Sequence, residues 1–199
     1  MNEDLFLEII NGLECKDMTI LDVHTKCQNK SISYGQAEQF LYCLSRDKRF
    51  ELFIALYSAT LKNDPITAFK VFREAYCASD NIYMQIKNSQ FSFNLKDFLN
   101  FAKAKCIDFL DLMNEEEKKY YYELPNRFKI YRGLSQEEYK SKDYGISWSL
   151  SEEEAKNYIY FDKNNVEKGK GGLVDIEIDK TDVFTVFSVH GKKEIIYLI

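Results

Sequence analysis

Arg132, Ser147, Ser149 and Glu194 are residues of types that do chemistry together. Arg132 ends the run Phe128-Lys129-Ile130-Tyr131-Arg132-Gly133, two serines flank the lone tryptophan in Ser147-Trp148-Ser149, and Glu194 is the one acid of the closing stretch Gly191-Lys192-Lys193-Glu194-Ile195-Ile196-Tyr197-Leu198-Ile199. A guanidinium is a planar fork for oxyanions, a hydroxyl orients its neighbour, and a carboxylate places a fixed negative charge where positive charge can develop. Such chemistry requires that residues far apart in the chain meet, so the elements that carry them come next.

From Tyr144 to Leu150 the residues alternate as in a strand, and from Ser151 they read as a helix. Ser151 has the side chain of an N-cap, Glu154 stands three positions on to close a capping box, and Glu152, Glu153 and Glu154 occupy the positive end of the helix dipole. A strand thus delivers Ser147 and Ser149 to a sharp corner, where hydroxyls also act as plain caps and turn formers. Upstream, Leu124-Pro125 marks a turn before the strand that ends in Arg132 and Gly133. Downstream, Leu173 to Ile178, Val183 to Phe187 and Glu194 to Ile199 read as strands. From Phe128 onward the period is 2, with the helix from Ser151 to Tyr160 as its one interruption. The stretch Asp162 to Gly172 is a charged, glycine-bearing loop; it lacks the Gly-Lys-Ser/Thr tail of a phosphate-binding loop, and no Gly-x-Gly-x-x-Gly occurs in the chain.

The first half is helical by period. Asp4 to Leu13, Gln36 to Leu44 and Arg49 to Leu61 recur at helical spacing, and Asp64-Pro65 starts a further helix with a cap followed by proline at the first position. Asn94 with Asp97 caps a longer helix running through Phe98, Cys106, Phe109 and Leu110, and Asn114 followed by three glutamates caps a last one ending near Leu124. Cys15, His24 and Cys27 invite a metal, but no C-x2-C pair or fourth ligand accompanies them, so no metal is expected. The fold class is α+β: a helical region over 1–124 packed on a small, mostly antiparallel β-rich core over 125–199, as one compact unit without linker or repeat.

Composition bounds the rest. With 45% hydrophobic and 30% charged residues over 199 positions, the chain is of ordinary globular type. No apolar run approaches membrane-spanning length and Met1-Asn2-Glu3-Asp4 is acidic where a secretory signal is basic, so the expectation is a cytoplasmic protein with no membrane partner. Five cysteines, odd in number and confined to the first half, read as reduced thiols. A net charge of −5 opposes broad electrostatic binding to nucleic acid, though not a local basic patch.

An arginine ending one strand, Ser-x-Ser on a second and a glutamate opening a late strand form an ordered triple. In this order the residues resemble the Arg–Ser–Glu branch of the ADP-ribosyltransferase superfamily, and are similar to bacterial and phage mono-ADP-ribosyltransferase toxins. The resemblance covers Leu124 to Ile199, and it implies a split β-sheet core and NAD+ as co-substrate. It implies Glu194 as the catalytic carboxylate, hydrogen-bonded to the ribose beside the bond to nicotinamide. Arg132 would hold the pyrophosphate or adjacent ribose, and Gly133 would let the nicotinamide amide approach the backbone. Ser147 would orient Glu194, Ser149 would support the strand corner within the same binding set, and Tyr158, Tyr160 or Phe161 would stack on nicotinamide. A phage-defence effector, or a toxin with an antitoxin protein as partner, belongs to the same expectation.

Two departures bear on the acceptor. Arginine-modifying relatives carry a second glutamate two positions before the catalytic one, where this chain has Lys192; with His190 and Lys193 nearby, the loop is cationic, and RNA or DNA is favoured over protein arginine. The helix from Ser151 continues into Tyr160-Phe161-Asp162 where similar proteins place a basic residue. Two other readings stay open: an NAD+ glycohydrolase, and a non-catalytic helical interaction module in which Arg132 and Glu194 form a structural ion pair.

Overall fold

Side-chain caps punctuate the first half of the chain. In the computed structural model, which describes residues 19–105, 108–159, 172–189 and 191–199, helix α1 (Ile20–Cys27) begins at a capping box of Thr19 with Asp22, and α2 (Tyr34–Cys43) at one of Ser33 with Gln36. Helix α4 (Pro65–Ala78) has Asp64 as cap and proline at its start, and α6 (Leu95–Ala104) has Asn94. Between them, α3 (Arg49–Ala59) buries every residue from Phe50 to Leu56 and has no side-chain cap of its own at Lys48. Its first N–H groups are met instead from α5 (Ile82–Asn88): the buried Gln85 accepts from Phe50 N at 2.8 Å and Glu51 N at 3.0 Å, and donates to the Asp80 carbonyl at 2.5 Å. One amide side chain thereby satisfies groups that would be costly to leave unpaired in an apolar interior.

The rings read as packing do pack. Phe50, Phe53, Phe72 and Phe98 meet with centroids 5.1–6.0 Å apart, mostly edge to face or tilted, the arrangement that the ring quadrupole favours. His24 stacks on Phe91 at 4.4 Å, and Cys27 is buried, which pushes its thiol pKa up. Cys15 and the helix expected over Asp4 to Leu13 lie outside the described residues.

Contacts divide the chain into two units, Met1–Ile107 and Asp108–Ile199, rather than at the 124/125 boundary that the change of period suggests. The second unit opens with a 3-10 turn, Phe109–Leu112, where a continuing helix was expected, and then α7 (Glu115–Glu123), capped by Asn114 and Glu117 as anticipated. Helix α7 belongs with the strands because its acids reach them. Glu117, fully buried, accepts from Ser188 N at 2.6 Å and Asn114 N at 2.8 Å. At the other end of α7, the Lys180 ammonium donates to the carbonyls of Tyr122 and Leu124 at 2.8 and 3.2 Å, meeting groups that a helix C-terminus leaves open.

Then follow β1 (Arg127–Leu134), α8 (Gln136–Ser141), β2 (Ser147–Trp148), α9 (Glu152–Tyr158), β3 (Gly172–Asp179), a 3-10 turn at Lys180–Asp182, β4 (Thr185–Val189) and β5 (Lys192–Ile196). Strand β1 pairs antiparallel with β3, and β5 lies antiparallel between β2 and β4. Among the described residues a single bridge, Tyr131 with Ser149, joins the two sheets. Alternation explains the core: Phe128 and Ile130 of β1, Trp148 of β2, Ile178 of β3, Val186 of β4 and Ile195 of β5 all enter one apolar cluster. The class is therefore α+β with small antiparallel sheets. The strand expected from Tyr144 to Leu150 shrinks to two ladder residues, and α8 interrupts a region expected to hold one helix. Among the described residues no helix is long and apolar enough to cross a membrane.

Candidate active site

Strand pairing brings Ser147 and Glu194 together. Ser147 lies opposite Ile196 and Trp148 opposite Ile195, so Ser147 and Glu194 share the sheet face opposite to Trp148 and Ile195, as diagonal neighbours two positions apart in register. The Ser147 hydroxyl donates to Glu194 Oε2 at 2.5 Å, both side chains being half-buried. A serine and a carboxylate 47 positions apart are thus joined by a short charge-assisted bond that fixes the carboxylate's orientation.

Arg132 reaches the same serine from the other side. Beyond the Tyr131–Ser149 bridge, the next pair in register, Gly133 with Ser147, does not form. The Ser147 carbonyl accepts instead from Arg132 Nη1 at 2.6 Å. The rest of the guanidinium faces Glu138, whose Oε1 accepts from Arg132 Nε at 3.1 Å and Nη2 at 2.6 Å. Glu138 also accepts from Gly145 N at 3.0 Å and Ser135 N at 3.2 Å. Burial pushes the Glu138 carboxyl up, but the Arg132 charge and hydrogen bonds, with the two backbone N–H groups, outweigh it and hold the carboxyl below its usual range. Arg132 therefore pairs with Glu138, not with Glu194 as the ion-pair reading supposed. Glu138 was missed at the level of sequence, although Ser135-Gln136-Glu137-Glu138 has the capping-box pattern that starts α8.

Gly133 and Ser149 serve the strand-to-helix corner. A Cβ on Gly133 would collide with the Ala155 carbonyl of α9, so the close approach that requires glycine here is that of a helix backbone. Ser149 Oγ accepts from Ser151 N at 3.0 Å and donates to Glu154 Oε2 at 3.0 Å. Ser151 caps α9 as expected, accepting from Glu154 N at 3.2 Å, but the Glu154 carboxylate turns to Ser149 rather than completing the box.

At the end of α9 stands the half-exposed Tyr158, whose phenol pKa is pushed up by burial and then by the charges of Glu194 and Glu154. The exposed Lys192 lies with its ammonium 5.8 Å from the Tyr158 ring centroid. Lys193 points elsewhere. Its ammonium binds Glu116 at 2.6 Å and Ser188 Oγ at 2.5 Å, so of the two lysines expected to make the loop cationic, only Lys192 is exposed. Tyr160, Phe161 and His190 lie outside the described residues, as does most of the loop Asp162 to Gly172. Among the described residues no group of three or more His, Cys, Asp or Glu side chains is placed to hold a metal ion.

The arrangement combines donors for an oxyanion with a carboxylate held by a hydroxyl. Arg132 commits one N–H from each of its three nitrogens, leaving one on each terminal nitrogen for an oxyanion. Glu194 supplies a carboxylate held by Ser147, and Tyr158 a half-exposed ring at the end of α9. In comparison with family models, with curated proteins and with solved structures, the chain matches none.

Proposed function

We propose that the second unit cleaves NAD+ between nicotinamide and ribose and transfers ADP-ribose to a macromolecular acceptor. The observation that carries this reading is the Ser147–Glu194 hydrogen bond, made by a serine whose own carbonyl anchors Arg132. NAD+ supplies a leaving group that departs neutral, so little acid help is needed and the demand falls on the positive charge left at the ribose. Glu194 meets that demand, Ser147 holds it in place, the remaining N–H groups of Arg132 suit the pyrophosphate, and Tyr158 offers a stacking face. Lys192, exposed beside Tyr158, stands where an arginine-modifying enzyme would need an acid, which supports a nucleic acid as acceptor over protein arginine. Phage defence or toxin action against a host, in the cytoplasm and under an antitoxin's control, is the setting that this reading proposes.

The test follows NAD+ and its products by mass spectrometry, with purified protein alone and with lysate treated beforehand by nuclease or protease. Glu194→Gln should lower cleavage by at least about a hundredfold while NAD+ binding persists, because the lost charge matters most as positive charge develops. Near-complete cleavage by that variant would remove Glu194 from the reaction. Cleavage by the wild type that yields only free ADP-ribose would identify water as the acceptor. An ADP-ribose adduct that still forms in nuclease-treated lysate and is absent from protease-treated lysate would redirect the acceptor to protein.

A further inference from the structure

Glu138 lies outside the Arg–Ser–Glu triple, yet it is heavily coordinated. Four N–H donors converge on it: Arg132 Nε and Nη2 from the end of β1, Ser135 from the start of α8, and Gly145 from the approach to β2. Its side chain is 23% exposed and that of Arg132 20%, so the pair is shielded but not sealed. Gly145 completes the arrangement from the other side, because a Cβ there would collide with the Arg132 guanidinium. The guanidinium is thus gripped along its Nε–Nη2 edge by Glu138, tied at Nη1 to the Ser147 carbonyl, and backed by the bare backbone of Gly145.

We propose that Glu138 is a positioning residue that holds the Arg132 guanidinium in a preset orientation, with one N–H on each terminal nitrogen directed to the phosphates of NAD+. The inference rests on the reading of this unit as NAD+-cleaving. A flexible arginine must lose rotamer freedom when it grips a phosphate, whereas one already fixed in the free protein does not, and binding strengthens accordingly. Glu138 touches neither ribose nor nicotinamide in this scheme, so its removal should weaken binding far more than the chemical step. The side chain also links the segments before and after α8, through Ser135 N and Gly145 N.

The experiment compares KM and kcat for NAD+ cleavage in the full-length wild type, Glu138→Gln and Gly145→Ala, alongside thermal melting of each. Glu138→Gln should raise KM about tenfold with kcat changed less than about threefold, the pattern of lost binding shared by ground and transition states. Gly145→Ala leaves every charge in place but displaces the guanidinium, and should raise KM in the same way even if Glu138→Gln melts too early to assay. An unchanged KM in both variants, with an active wild type, overturns the positioning role alone. Equal loss of kcat and kcat/KM also overturns it, by moving Glu138 into the chemical step. A wild type that neither binds nor cleaves NAD+ overturns the functional reading and this inference with it.

Discussion

The two units solve burial in opposite ways. In the first, the interior is mostly rings and aliphatic side chains; among the described residues the buried polar ones are Gln85, which finishes the start of α3, Ser79, and Glu51, which pairs with Lys48 at 3.0 Å. In the second, carboxylates are drawn into the structure: Glu117 fully buried against Ser188 N, Glu138 against Arg132, Glu154 against Ser149, and Glu194 against Ser147. Burying charge is costly unless each group is met by donors, and here each acid is. The contrast teaches where function is to be sought. A core of interlocking rings supplies stability with no group poised to react, whereas a set of oriented acids beside an arginine is ready-made electrostatics.

That contrast breaks if the first unit depends less on its rings than its packing implies. Phe72→Ala, at a fully buried position among Phe50, Phe53, Phe69, Tyr76 and Phe98, should lower the unfolding free energy by about 3–5 kcal/mol in urea denaturation. A loss under about 1 kcal/mol would mean that the cavity closes freely and that the interlock is loose. In the second unit, Arg132→Lys keeps the charge but loses the fork, and should weaken NAD+ binding by about 1.5–3 kcal/mol in calorimetry. An unchanged dissociation constant would make Arg132 a purely structural partner of Glu138 and Ser147.

A smaller effect sharpens the comparison through pH. The Glu138 carboxyl is held below its ordinary value of 4.5 in the folded protein, so its contribution to stability is present in full above that value. As pH falls through the folded value, the carboxylate is protonated and the contribution disappears. Wild type and Glu138→Gln should therefore differ in unfolding free energy near pH 6, by about 1 kcal/mol, and converge as pH falls below the folded value. A difference that persists at the acid end would show that the glutamine acts through shape rather than charge.

Local signals were legible in the sequence, and long-range partners were not. Asp64-Pro65, Asn94 and Asn114 with Glu117 announce helix starts because a cap is settled within four residues, and the structure has all three. The order Arg132, Ser147, Glu194 was legible as a triple. Its convergence depends on the register of β2 against β5, which no local pattern specifies. Glu138 was hidden because α8 is only six residues long with no buried side chain, so it leaves no apolar stripe in a region of period 2. Lys193 looked like a loop cation because its partner Glu116 lies 77 positions away. Ser149 and Glu154 found each other in place of the expected box because the turn before α9 brings the serine's hydroxyl over the helix end.

The seat of α9 on Gly133 changes how a mutational scan of this strand would be interpreted. Successive strand residues face opposite sides, so Arg132 turns toward Glu138 and Ser147 while Gly133 turns toward the Ala155 carbonyl. Any side chain at 133 lifts the helix that carries Tyr158 and Glu154, and a scan would score the position as intolerant, beside an arginine that scores the same. The two scores have different origins, one the lost guanidinium bonds to Glu138 and the Ser147 carbonyl and the other a displaced helix. Only the second is relieved by shortening what stands opposite, and because the obstacle is a backbone carbonyl, no substitution at 155 can shorten it.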